Sequence, residues 1–450
     1  MAFMWCAIAF LAFTAWEAGA SRRDITPRQP MWMAGYAGRT APASGTESPL
    51  CARAVALRRA ESPRVRAVTV SLDLVGIDAE LAARVKKALA DRHGLAEAEV
   101  ALACSHTHCG PVVGSTLRSM YPLDDGMRER SRAYADFLVG EVDLAVGEAL
   151  SRLKPCSLSW HEGNCGFAVN RRANKEAEVV AIRQAGKPLA GPVDHRVPAM
   201  AARTPEGRLI AVLFGYACHA TTLSFDKWCA DYPGFASEAL EKSNPGAVCA
   251  FIAGCGADQN PLPRRTVALA KAYGDQLAES VSTALSRPGK SLGAQLSVAL
   301  VRAPLPLEAA PSKEELEKQA SGKEKYIASR ARNLLADLAA GKTMPVDYSF
   351  PVQAWRLGDH TLVFLGGEVV VDYSLRLGRE ITGPAWVAAY SNDVMAYIPS
   401  RRVLKEGGYE GASSMIYYGL PASWREGVEE TLVDAFREAA KRVGATVSSR

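Results

Sequence analysis

No two of the ten cysteines stand in a Cys-x-x-Cys step, which excludes a structural zinc site built from four cysteines. Net positive charge is small. A net charge of +5 over 450 residues, without a long basic block, removes nucleic acid as a partner. No internal repeat and no long low-complexity linker interrupts the chain, so one domain, or two tightly merged halves, is expected. Beyond residues 2–20 no apolar run is long enough to cross a bilayer. Histidine is scarce as well, with seven in all, so any two that stand together are informative.

What is present is ordinary globular material. With 48% hydrophobic and 22% charged residues, the chain has enough apolar side chains for a large core. Residues 2–20 are almost wholly apolar and end in Ala18-Gly19-Ala20. They read as a secretory leader with a small-residue cleavage step, although no Lys or Arg precedes the run. The expected division is therefore a leader over 1–20 and a single domain over 21–450, secreted or periplasmic. Export would permit some cysteines to pair, but Cys104, Cys218 and Cys249 lie in strand-like runs and read as core residues.

The rhythm along the chain is strand, helix, strand. Arg66–Leu74 alternates like a strand, a helix follows over 79–91, and Ala101-Leu102-Ala103-Cys104 reads as a buried strand. Amphipathic helices are expected over 128–152, 235–242, 266–285 and 424–443, and a charged, Ala-rich helix over 312–341. Apolar strands are expected at 211–216, 247–253, 362–365 and 386–390. This alternation indicates an α/β fold, with mixed β-sheets stacked and flanked by helices.

Several of these strands deliver a polar side chain at their end, where a rigid scaffold can present chemistry. Ser105-His106-Thr107-His108-Cys109-Gly110-Pro111 closes one, Cys218-His219-Ala220-Thr221 another and Gly366-Gly367-Glu368 a third. Asp258-Gln259-Asn260 follows the 247–253 strand, and Asn392 and Tyr397 follow the last. Two imidazoles and a carboxylate make a plausible Zn²⁺ set with an open position for water, the alternative being hydrogen-bonded core histidines.

Taken together in this order, with Tyr409-Glu410-Gly411-Ala412-Ser413, these motifs resemble the catalytic domain of the neutral/alkaline, non-lysosomal ceramidases from about residue 24 to the end. The resemblance implies that family's fold and hydrolysis of the amide of ceramide, a sphingolipid, with contact at a membrane surface. It implies zinc held by His106, His219, Glu368 and Tyr397. His108 would handle protons, Arg171 of the Asn170-Arg171 pair would lie in the substrate pocket, and Tyr409 would stand near the reacting carbonyl. Other readings stay open: Glu368 as a cap of the following helix, Tyr397 as a buried tyrosine, and Arg172 in place of Arg171.

One motif departs from the family. The family's Gly-Asp-x-Ser-Pro-Asn turn supplies an active-site serine, whereas this chain has Gly256-Ala257-Asp258-Gln259-Asn260-Pro261, with Asp258 or Gln259 expected at the serine's place. Water could attack instead, with Asp258 or His108 as general base, and Asp258 also reads as a turn residue. The departure leaves three outcomes: a ceramidase-type amidase, a zinc hydrolase of another amide or ester, or a metal-containing protein without catalysis. No role falls to His93, His161, His195 or His360, and the oligomeric state is left open.

Overall fold

The computed structural model describes residues 15–62, 64–121 and 123–448. A nine-stranded sheet forms one half. Its main strands are β1 (Trp16–Asp24), β2 (Cys51–Arg59), β3 (Arg66–Leu72), β4 (Val100–Cys104), β5 (Lys154–Asn164), β6 (Arg196–Arg203), β7 (Leu209–Tyr216) and β8 (Val248–Ala253). They lie in the order β8-β7-β6-β5-β1-β2-β3-β4. The pairs β7–β8 and β3–β4 at the two ends are parallel, and those between are antiparallel. A second sheet stacks β9 (Leu296–Pro306), β10 (Asp347–Leu357), β11 (His360–Leu365) and β12 (Ala385–Ala388) in that order.

Side-chain alternation decides which face goes where. On β2, Val55 and Leu57 join Trp355, Leu362, Phe364 and Trp386 of the second sheet in one apolar layer. Ala52, Ala54 and Ala56 point the other way, into the layer that holds the helices. The helix Asp125–Ser151 packs on β1 and β2, while Asp231–Ser243 and Val267–Leu285 cover the other end of the same sheet. Val428–Arg442 covers the second sheet. The layers therefore run helix, sheet, sheet, helix, a mixed α/β architecture.

Local signals account for the element ends. Ala79–His93 begins where the Asp78 side chain accepts the Leu81 N–H, and stops at Gly94 in the left-handed region at φ 64°. The helix expected over 235–242 begins earlier, at Asp231, because Pro233 falls in its first turn, where a missing N–H costs nothing. The span expected as one helix over 312–341 is two, Lys313–Ala320 and Lys325–Ala339, parted near Gly322.

The boundary drawn at residue 20 falls inside a strand. Trp16–Asp24 pairs with Cys51–Arg59 along its whole length, and Ala18, Gly19 and Ala20 are buried in it. Gly19 is needed there: a Cβ on it would lie 2.1 Å from the carbonyl oxygen of Ala149, so the long helix can approach only a bare backbone. Residues 1–14, the rest of the expected leader, lie outside the described residues. All nine cysteines from Cys51 onward are buried and unpaired, and among the described residues no helix is long and apolar enough to cross a membrane.

Candidate metal centre and adjoining pocket

Strands of both sheets end in one place, and the backbone there stitches the sheets together. Cys104 N–H donates to Tyr390 O at 3.0 Å, Ala389 N–H to Ala253 O at 2.9 Å, and Asn392 N–H to Leu102 O at 2.7 Å. The loops beyond β4, β7, β8, β11 and β12 therefore converge, as they do at the carboxyl edge of α/β sheets. Among the described residues, three of the six non-glycine residues with positive φ sit here: His106 at 62°, Tyr390 at 52° and Asn392 at 65°. Strain of that kind persists where packing over-determines it, and it gathers at functional sites. Asn392 has a structural reason for its conformation, since its Oδ1 accepts the Leu102 N–H at 3.2 Å and its Nδ2 donates to Gln353 at 2.8 Å.

Each metal-ligand candidate is placed by its own backbone. Gly367 turns the chain at φ 67°, where a Cβ would meet Ile398 Cγ1 at 2.7 Å. The next residue, Glu368, then pairs in register with Tyr397 on a short parallel bridge. Gly256 passes so close to the preceding turn that a Cβ would lie 2.5 Å from Cys218 N. Its carbonyl thereby reaches His219 Nδ1 at 2.7 Å. His106 Nδ1 faces the Val75 carbonyl in the same manner. Carbonyls only accept, so both imidazoles carry their proton on Nδ1 and present a bare Nε2.

Those bare nitrogens aim at one point. His106 Nε2 and His219 Nε2 each lie 3.1 Å from Glu368 Oε2. Tyr397 Oη is 3.2 Å from His219 Nε2, and His108 Nε2 is 3.2 Å from His106 Nε2. The ligand atoms of the three imidazoles fall within 4.8 Å of one another. With no proton between them, lone pair faces lone pair, and Glu368 Oε2 is buried without a hydrogen-bond donor. A cation resolves this repulsion. Tetrahedral zinc with bonds of about 2.05 Å sets its ligands about 3.3 Å apart, close to the spacings observed. The four residues expected as ligands thus stand together around one point, and His108 joins them.

Electrostatics agree with that reading. Burial, followed by the Arg171 charge, lowers His219 to about 4, so the ring is neutral and free to bind a cation. Burial and the Glu368 charge keep the Tyr397 phenol well above its usual value, so it is a neutral hydroxyl until a cation stands beside it.

The cluster opens into a cavity of about 580 Å³, where His108, Arg171, Tyr397 and Tyr409 share the lining with Asn260 and Thr221. Arg171 Nε donates to Glu410 at 2.7 Å, its Nη1 to Asn260 at 3.3 Å and its Nη2 to Tyr397 Oη at 3.2 Å. Arg172 turns outward to Glu406, Glu410 and the Gly407 carbonyl, so Arg171 is the arginine at the cluster. Tyr409 packs edge-on against Tyr397 at 5.2 Å and is 40% exposed at the rim.

Asp258 departs from its expected role as a base. One carboxylate oxygen accepts the Val371 N–H at 2.9 Å and the other the Asn170 amide at 3.1 Å. It is fully buried and ties its own turn to the first residue of the helix Val371–Glu380. Gln259 likewise points its amide at the Pro192 carbonyl, 3.3 Å away. The residue of this turn that faces the cavity is Asn260, which the sequence reading had not assigned. Two other contributors carry no spacing signal. Tyr418 donates its hydroxyl to Glu368 Oε1, and the Tyr390 ring lies over His106 with centroids 4.3 Å apart.

Comparison with known proteins places these observations. Residues 16–259 match the model of the neutral/alkaline non-lysosomal ceramidase family, N-terminal domain. The fold is similar to the crystal structure of neutral ceramidase from Pseudomonas aeruginosa, with a TM-score of 0.72 at 18% identity, covering 97% of this chain and 76% of that one. A second structure, of a ceramidase complexed with C2, is similar at a TM-score of 0.72 and 17% identity over the same shares. No curated protein sequence matches the chain.

Proposed function

The chain belongs to the neutral/alkaline non-lysosomal ceramidase family, and we propose that it hydrolyses an acyl amide with the help of one divalent cation, Zn²⁺ being the ion these donors suit best. Water adds to the acyl carbon and the C–N bond breaks, so that R–CO–NH–R′ and H₂O become R–COOH and H₂N–R′. The family's name points to ceramide, an N-acyl lipid, as the parent substrate.

His106, His219, Glu368 and Tyr397 would hold the ion, which supplies a Lewis acid and an acidified water when bound. The chain's own side chains do the rest. His108 lines the cavity with Nε2 at the cluster; it takes the proton from the attacking water and returns it to the departing amine. Arg171 and Tyr409 donate hydrogen bonds to the oxygen on which charge develops. Glu410 keeps the Arg171 plane fixed through the 2.7 Å bond to Nε, and Tyr418 orients Glu368 from behind.

Asn260 favours direct attack by water. When the Asp and Pro of the family's Asp-x-Ser-Pro step are kept in register with Asp258 and Pro261, the serine falls on Asn260, and an amide is no nucleophile. This also favours a second reading, a hydrolase acting on an amide or ester other than ceramide.

The observation that carries the proposal is the convergence of two Nδ1-anchored imidazoles on one carboxylate oxygen. Metal content of the wild type against His106→Ala, His219→Ala and Glu368→Ala tests it, together with chelator-sensitive turnover. Each variant should lose most of the bound ion. Full occupancy in all three would end the ligand assignment.

A further inference from the structure

We propose that the substrate is a compact, polar N-acyl amine, such as an N-acyl amino sugar or N-acyl amino acid, and not a two-chain lipid. This inference rests on the hydrolase reading above and narrows it. The cavity's size suits a small molecule, at about 580 Å³, and its walls decide the class.

Beyond the cluster, the walls are ion pairs and hydrogen-bonding groups. Arg172 pairs with Glu410 at 2.6 Å, and Arg264 with Glu176 at 2.7 Å, its Nε and Nη2 both donating. Asn174 and Asn260 share the lining with them, and Leu262 is its one aliphatic residue. An alkyl chain laid here would strip water from charged groups and gain apolar contact only from Leu262 and the tyrosine rings. Nor, among the described residues, is the mouth rimmed by exposed large hydrophobics other than Tyr409. Among the described residues the exposed large hydrophobics are Val65, Leu144, Val180, Val346 and Tyr409, and of these only Tyr409 lines the cavity.

The same walls suit a hydroxylated or charged guest. The Tyr36 and Tyr409 rings line the cavity and offer faces for a sugar or a planar amide. Asn260 ties up its Oδ1 on Arg171 and Thr221, which turns its amide N–H₂ toward the guest. Arg264 spends Nε and Nη2 on Glu176 and keeps Nη1 for a carboxylate or hydroxyl. The acyl group then lies at the cluster and the polar amine portion between Asn260 and the Arg264–Glu176 pair.

The test uses the full chain with one equivalent of Zn²⁺ and four substrates: N-acetylglucosamine, N-acetylglycine, N-palmitoylsphingosine in mixed micelles, and p-nitrophenyl acetate. At least one of the two N-acetyl compounds should exceed the palmitoyl lipid about 100-fold in kcat/KM, and which one does so separates sugar from amino acid. Equal or faster turnover of the palmitoyl lipid would overturn the inference while leaving the hydrolase reading intact. Silence on all four would remove both.

A binding measurement that needs no activity accompanies it. Saturation-transfer NMR on the metal-free chain should detect the preferred N-acetyl compound, and the double variant Arg264→Leu, Glu176→Leu should weaken it at least tenfold. Unchanged binding in that variant would overturn the placement of the polar portion.

Discussion

Histidines are buried both at the cluster and away from it, and the two sets differ in what the ring nitrogens face. At the cluster, His106 and His219 fix their protons on backbone carbonyls and turn bare nitrogens on a carboxylate. Away from it, on the helix-covered face of β5, His161 bonds the Ala284 carbonyl at 3.0 Å and Ser159 at 2.8 Å. His360 lies against Trp160 with centroids 3.7 Å apart, and neither of its ring nitrogens has a partner. Burial is common to both places. Convergence of lone pairs on an acid is confined to the first, and that convergence is what identifies a cation site.

The comparison breaks most sharply at Glu368. Glu368→Gln keeps the shape and removes the charge, and one ligand's share of a zinc site's binding energy is about 3 kcal/mol. Metal affinity should fall about 100-fold or more and turnover should drop to background, as read by chelator competition. If the Glu368→Gln variant bound zinc as tightly as the wild type, the distinction between the two histidine regions would dissolve. A smaller effect is expected one layer out. Tyr418→Phe removes the donor to Glu368 Oε1 and should weaken metal affinity about 10-fold to 100-fold. Ser159→Ala, which removes a partner of His161, should leave affinity unchanged.

The first region could be read from the sequence and its surroundings could not. His106, His219 and Glu368 each follow an apolar strand, so periodicity and a glycine or His-x-His step announce them. Tyr397 needed the resemblance to the ceramidases, since nothing in its neighbours marks a ligand. Tyr418, Tyr390 and the carbonyls of Val75 and Gly256 act through tertiary geometry alone, without a pattern in the chain. Asp258 misled because a carboxylate in a polar turn looks the same in sequence whether it faces a cavity or braces a helix. Residues 18–20 carry a similar ambiguity. Ala18-Gly19-Ala20 has the composition of a cleavage step, but small residues serve equally where a helix lies tight against a strand.

The second region predicts an acid response that owes nothing to metal. Burial lowers His360 to about 3, whereas in the unfolded chain an imidazole titrates near 6.5. Between those values the unfolded state binds the proton and the folded state does not. Stability should therefore be full above about pH 6.5 and fall as the pH drops toward 3, by at most about 1.4 kcal/mol per pH unit from this residue. His360→Phe keeps the contact with Trp160 and deletes both unpartnered nitrogens. Urea unfolding of the metal-free chain at pH 7 and pH 5 should show a smaller difference in the variant. An unchanged difference would move the acid sensitivity to the cluster, where His219 also sits at about 4.

The smallest change expected is at Asn260, on the wall that joins the cluster to the polar cavity. Its hydrogen bonds to Arg171 and Thr221 are long, at 3.3 and 3.5 Å, so Asn260→Ser should cost less than about 1 kcal/mol of stability. Metal affinity should stay within twofold, because none of the cluster's contacts passes through this side chain. The informative difference is kinetic. If water attacks the acyl carbon directly, rapid-quench measurements on the wild type show no burst of amine and intact-mass spectra show no acyl adduct. An acyl adduct on the wild-type chain would demand a nucleophile elsewhere on the wall. Thr221, whose hydroxyl reaches Asn260, would be the side chain to replace next, because Asn260 offers only an amide.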